Sequence, residues 1–300
     1  MTEKISLEEA VTLWLTSFED KVAFFDSELY SFLYLVRETK SFKGYPIQRL
    51  RINSDLKRKF SEVSHYLISS GLAKKYNDKY FTIGNVAPDS LEVVCSLYNT
   101  GYISYLSAMR FYNLTNRIPK KIDFTTPTRP LWKKIQSQLL TENEINDSKL
   151  GSNIFTPPYP SERIKIENKT LNVHARSHLT EPKRKGVSVR VIEVGELFLE
   201  MLRHPDLCGG LQHVLEVYDE MAEALLEEII VAVESLGTNM DKSRVGFIID
   251  SFLDIKDPRI QHWKKTATAR GGSRKFIPNE DYLGPISEEW CLSLNHSVFN

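Results

Sequence analysis

Apolar positions along residues 6–83 repeat with the period of helices, then switch to the alternation of a hairpin. Ser6-Leu7-Glu8-Glu9 has the form of a capping box, with Ser6 as N-cap and Glu9 three residues into the helix. Ala10, Leu13, Trp14, Val22 and Phe25 then supply apolar positions for one helix or two short ones. A second helix is predicted from Ser27 to Glu38, with Leu29, Phe32, Leu33 and Val36 on one face. Gly44-Tyr45-Pro46 ends it, and Pro46 is placed to start a short helix carrying Arg49 and Arg51. Asn53 or Ser54 caps a third helix, in which Leu56, Phe60, Val63 and Leu67 make one stripe at spacings of four, three and four. Gly71 stops that helix, and Leu72 to Ile83 alternates and turns at Asn77-Asp78. This order is that of a winged helix-turn-helix.

After Pro88 the pattern changes. Leu91 to Leu114 reads as helical with a break near Gly101, and strands are predicted at Lys121 to Thr126, Arg163 to Glu167, Thr170 to Ala175 and Val187 to Val191. Helices return at Gly195 to Leu202, Leu211 to Leu236 and Asp241 to Ile255, interrupted by His204-Pro205 and Gly209-Gly210. A last strand is placed at Trp290 to Leu294. The expected class is α/β of the α+β kind, in two domains. Residues 1–90 form the winged helix-turn-helix, and residues 91–300 form a larger mixed domain.

Charge sharpens this picture. The whole chain is formally neutral, yet Arg37 to Lys79 holds eleven Lys/Arg against four Asp/Glu. A helix that enters the major groove buries one stripe and offers the opposite face to DNA. With the apolar stripe inward, Lys57, Arg58, Ser61, Ser64 and His65 face outward. Lys57, Arg58, Ser61 and Ser64 are therefore the expected reading face. Lys74, Lys75 and Lys79 would meet phosphates from the wing, with Asn77 at its tip. Arg49 and Arg51 take phosphate-contact roles. Glu193 to Glu228, by contrast, carries ten acids against Arg203 alone, the pattern of a solvated helical face. Three dispersed cysteines, Cys95, Cys208 and Cys291, match neither a disulfide framework nor a metal spacing. With no apolar run long enough to span a bilayer and no signal pattern at the start, the expectation is a cytoplasmic protein without a membrane partner.

Enzyme-like signals are weak. Arg270-Gly271-Gly272-Ser273-Arg274-Lys275 lacks the spacing of a phosphate-binding loop. A nucleotidyltransferase centre would need a second carboxylate beside Asp281, and Tyr282-Leu283-Gly284 supplies none. His174 and His178 lie four apart in a segment that reads as a strand, too far for joint metal ligation. No catalytic residue, cofactor or metal is assigned. Tyr98, Tyr102, Tyr105, Phe111 and Tyr112 read as core rather than as a base-stacking platform.

Three further segments carry a family resemblance. They are Gly101-Tyr102-Ile103-Ser104-Tyr105-Leu106-Ser107-Ala108 with Ile118-Pro119 and Phe124-Thr125-Thr126; Arg203-His204-Pro205-Asp206-Leu207-Cys208-Gly209-Gly210; and Arg270 to Ser273 running on to Trp290-Cys291-Leu292-Ser293-Leu294-Asn295. In this order, behind a winged helix, they resemble the AbiEi antitoxin family of bacterial abortive-infection (type IV toxin–antitoxin) systems. The resemblance implies an N-terminal domain that represses its own operon by cooperative binding to inverted repeats in operator DNA. It also implies a C-terminal domain that opposes a cognate nucleotidyltransferase toxin, without requiring a stable complex. The family's DNA face maps onto Lys57, Arg58, Ser61, Ser64 and the wing lysines. Val191-Ile192-Glu193-Val194-Gly195-Glu196 departs from the Thr-Leu-hydrophobic-Asp stretch the family pattern leads one to expect. Two other readings are a stand-alone ligand-responsive repressor and an enzyme of nucleotidyltransferase type.

Overall fold

A computed structural model describes residues 3–84, 86–143, 152–180, 183–185, 188–268, 272–282 and 284–299. The chain is an α+β protein and divides into two compact units, residues 1–103 with 124–190, and residues 104–123 with 191–300. The boundary expected near residue 90 does not coincide with this division, because α4 (Ser90–Leu97) packs on the short strand β1 (Ala23–Phe25) of the N-terminal segment.

The first unit opens with α1 (Leu7–Leu15), held by the expected box: Ser6 Oγ accepts from the Glu9 N–H at 3.1 Å, and Glu9 accepts from the Ser6 N–H at 2.6 Å. The helix stops at Leu15, and residues up to Phe25 do not extend it. β1 instead pairs antiparallel with β5 (Tyr80–Ile83), aligning Phe24 with Phe81, whose rings stack at 5.0 Å. α2 (Asp26–Thr39) follows and ends at Lys40, in the left-handed conformation at φ 55°. The short helix expected at Pro46 is absent. There, β2 (Ser41–Phe42) and β3 (Tyr45–Pro46) form a hairpin whose turn uses positive φ at Lys43 and Gly44, and Ile47 bridges to Ile5. Arg49 and Arg51 thus sit in a loop leading to α3 (Leu56–Ser69). β4 (Ala73–Tyr76) and β5 close a three-stranded antiparallel sheet of order β1-β5-β4. Helix, strand, helix, helix and hairpin in this order are the winged-helix topology, with α2 in place of the expected Pro-started helix before α3.

The remainder of this unit adds a six-stranded sheet of order β10-β11-β6-β7-β9-β8. Its members are β6 (Tyr102–Ile103), β7 (Lys121–Pro127), β8 (Lys165–Ile166), β9 (Lys169–Arg176), β10 (Lys183–Lys185) and β11 (Val189–Val191). β9 includes His174 and ends at Arg176, so His178 lies in the bend beyond the strand. α5 (Tyr105–Phe111) belongs to the second unit, and α6 (Arg129–Glu142), a helix not among those expected, to the first. Tyr98, Tyr102 and Tyr105 are buried, whereas Phe111 and Tyr112, also expected in the core, are only partly buried. The helix predicted from Leu91 to Leu114 is broken by β6, where Gly101 (φ 117°) lies against the Thr125 carbonyl and the Phe124 ring.

In the second unit α7 (Val194–Arg203), α8 (Leu211–Met221), α9 (Leu226–Leu236) and α10 (Asn239–Gly246) pack together, α10 running on into a π-helical turn, Phe247–Phe252. α11 (Pro258–Thr268) and the small sheet of β12 (Arg274–Lys275), β13 (Ile286–Ser287) and β14 (Leu292–Ser293) complete it. Gly195 lies in the first turn of α7. A Cβ there would overlap the backbone carbonyl of Glu228, so the glycine permits the close approach of α7 to α9. Gly195→Ala is expected to cost about 1–3 kcal/mol through this overlap. Thermal unfolding reads it directly, and an unchanged melting temperature would refute the close-packing role.

One cluster of buried charge in this unit is organised around Arg203. Its guanidinium donates to Glu200 at 2.8 Å and to both Asp241 oxygens at 3.1 and 2.7 Å, while Glu200 and Asp241 are 2% and 5% exposed. Thr238 caps α10 through the same Asp241. Burial drives the Asp241 pKa up, but hydrogen bonds from Arg203 and Thr238 outweigh it and hold the carboxyl below its ordinary value.

Candidate nucleic-acid interface

α3 is built to show one face. Asp55 caps it, its carboxylate accepting from the Lys57 N–H at 2.9 Å, so the cap lies one or two residues beyond Asn53 and Ser54. Leu56, Val63 and Leu67 are buried in the core shared with α1 and α2. Phe60 is partly buried and stacks on Tyr30 at 4.2 Å. On the opposite face Lys57, Arg58, Ser61 and His65 are exposed, Arg58 with 79% of its side chain accessible. Ser64 is different. It is 8% exposed, because the inward stripe takes in the position directly after Val63 as well. A stripe of Leu56, Val63, Ser64 and Leu67 is as wide as a helix face packed into a globular core needs, and a small polar residue fits it. Ser64 is therefore withdrawn from the reading face.

The exposed face is not uniformly basic. Glu62 accepts from Arg58 Nε at 2.9 Å and from Lys59 Nζ at 2.6 Å. Those hydrogen bonds, Lys59's first, hold the Glu62 carboxyl below its usual range. A duplex meeting this helix would compete with Glu62 for both cations. Glu62→Gln should then raise DNA affinity several-fold at low salt. An affinity equal to or below that of the unaltered chain, by fluorescence anisotropy, would contradict that competition.

The wing turns where expected. Asn77 and Asp78 adopt φ of 49° and 50°, and the Lys79 N–H donates to the Tyr76 carbonyl at 3.0 Å. Asn77 and Lys74 are exposed; the Lys74 ammonium lies 4.9 Å from the Tyr76 ring centroid. Lys75 points inward. Its ammonium bonds Asp26 at 3.3 Å and lies 5.3 and 5.1 Å from the Phe60 and Phe81 ring centroids, so it ties the wing to α2 rather than facing a phosphate. Burial, moderated by this ammonium, raises the Asp26 pKa. Lys79 is exposed but its ammonium donates to the Arg163 carbonyl at 3.0 Å, and the Tyr80 hydroxyl donates to the Lys165 carbonyl at 3.4 Å.

These contacts, both to main-chain carbonyls, place the start of the β8–β9 hairpin beside the wing, with exposed Arg163 and Lys165 and the exposed acids Glu162 and Glu167 in the same segment. Sequence reading missed Arg163 and Lys165, since they follow the wing by some eighty residues and no local period links them. The cations left on the surface are thus Arg49, Arg51, Lys57, Arg58, Lys74 and Lys79, with Arg163 and Lys165 alongside. Such an array can neutralise a phosphate backbone, and the short Ser61 side chain lets the helix approach base edges.

Arg270 and Gly271 of the glycine-rich segment lie outside the described residues. Arg274 and Lys275 form β12 in parallel pairing with Leu292 and Ser293, and Asp281 is exposed in a loop. No helix among the described residues is long and apolar enough to cross a membrane. No family model matches the chain, and no curated protein matches it. Among solved structures, the chain is similar to the RV2827C protein from Mycobacterium tuberculosis, at 11% identity and a TM-score of 0.48 over 95% of this chain and 90% of that one.

Proposed function

We propose that this chain is a DNA-binding transcriptional repressor of its own promoter and an antitoxin that counteracts a nucleotidyltransferase toxin, as the resemblance to the AbiEi family implies. The observation that supports DNA binding is the capped helix α3, which buries its apolar stripe and leaves Lys57, Arg58 and Ser61 outward beside a wing. Repression is then occlusion: α3 and the wing occupy promoter DNA, and a second copy on the inverted half-site binds more readily. The antitoxin role rests on the family resemblance alone and is placed in the part of the chain beyond the winged helix. Action on an intracellular operator and toxin places the protein in the cytoplasm, within transcription regulation and phage defence.

Footprinting the full chain on its own upstream region tests this reading. Protection of paired inverted half-sites is expected. Absence of any protected site on that region would overturn autorepression. In cells expressing a nucleotidyltransferase toxin that the unaltered chain neutralises, the full chain carrying Lys57→Ala and Arg58→Ala should still rescue growth while failing to repress. Loss of rescue in that variant would place antitoxin action in the DNA-binding face.

A further inference from the structure

The outward surface of α3 extends well beyond its basic first turn. At about 3.6 residues per turn, the direction opposite the buried stripe of Leu56, Val63, Ser64 and Leu67 falls on Arg58 and His65, two turns apart. Ser61 lies between them on the same face, and all three are exposed. From Arg58 to His65 the helix rises about 10 Å, the length of about three stacked base pairs. Lys57 and Lys59 stand about 100° to either side of this line. A helix lying along a major groove turns such flanks toward the two phosphate backbones and its midline toward the base edges.

The polar groups on this face differ in what already holds them. Arg58 and Lys59 both donate to Glu62, at 2.9 and 2.6 Å. Among the described residues, neither the Ser61 nor the His65 side chain forms a hydrogen bond or an ion pair, so both are free to meet a ligand. The geometry points to His65 as a specificity-determining residue, one imidazole N–H donating to the N7 and O6 edge of a guanine in each half-site. Guanine offers two acceptors there, whereas adenine sets an amino donor beside its N7, which would oppose the ring N–H. Ser61, one turn nearer the helix start, is short enough to let the imidazole reach that edge. This role rests on the DNA-binding reading above and adds the residue that chooses sequence. The lysines cannot choose it, because phosphates carry no sequence information directly.

Enrichment of binding sequences from a random duplex library tests the role, using the full chain unaltered and as His65→Ala and His65→Asn. The unaltered chain should enrich a guanine at one position of each half-site. His65→Ala should lose that preference alone and bind the enriched sequence roughly tenfold more weakly. Its melting temperature and its salt dependence on a non-specific duplex should be unchanged. His65→Asn should move the preference to adenine, whose N6 and N7 a carboxamide engages together. Lys57→Ala is the contrast: it should weaken binding to all sequences alike and reduce the salt slope by about one. An unaltered sequence preference in His65→Ala, or binding by the unaltered chain that enriches no sequence, would overturn the role of His65 and leave DNA binding standing. No binding by the unaltered chain at low salt would instead overturn the DNA-binding reading, and this role with it.

Discussion

Replacing Lys57 and Arg58 together by alanine is expected to weaken operator binding roughly a hundredfold, or about 2.8 kcal/mol, while leaving the fold intact. Both side chains stand on the open face of α3, in its first turn, where a recognition helix meets base edges and phosphates. Neither packs into the core. Among the described residues Arg58 is tied only to Glu62, an exposed pair one helical turn apart, and such pairs contribute about 0–1 kcal/mol. Thermal unfolding should therefore be unchanged in the double variant. Wild-type affinity in a gel-shift titration would remove both residues from the interface. The effect should also depend on salt: losing two phosphate-neutralising groups flattens the dependence of log K on log salt by about two.

A second large effect is expected at Arg203→Met, which should destabilise the second unit by about 3–5 kcal/mol, because it strands the buried carboxylates of Glu200 and Asp241. The sign with pH follows from Asp241. Its folded-state pKa is depressed, so its contribution is fully present above the ordinary carboxylate range and is lost as pH falls through the folded value. The stability gap between the unaltered chain and the variant should accordingly narrow in acid. Chemical denaturation at neutral and at acid pH measures both. A gap below 1 kcal/mol at neutral pH, or one that widens in acid, would contradict the assigned network. DNA binding should be spared, since Arg203 lies in the second unit and the reading helix in the first.

Features set by local chemistry were legible in the sequence. The capping box at Ser6 and Glu9, the α3 stripe and the Asn77-Asp78 turn each depend on residues within a few positions of one another, and each formed. Features set by distant partners were not. Ala23 to Phe25 became a strand because β5, nearly sixty residues on, offers an edge, and Pro46 entered a hairpin because Ile47 pairs with Ile5. Lys75 looked like its neighbour Lys74, yet period-two alternation in the wing turned it toward Asp26 and two aromatic rings. Ser64 shows the converse limit: a small polar residue beside the stripe is read as outward, although packing had room for it inside. Arg49, Arg51, Lys57, Arg58, Lys74 and Lys79 are nonetheless exposed, on the loop before α3, on α3 itself and on the wing.

The central claim, that this surface holds a polyanionic duplex, is tested most directly by the salt dependence of DNA binding by the full chain. With Arg49, Arg51, Lys57, Arg58, Lys74 and Lys79 each displacing a counterion, the slope of log K against log salt should be about −5. A slope near zero, or no measurable binding at low salt, would contradict it.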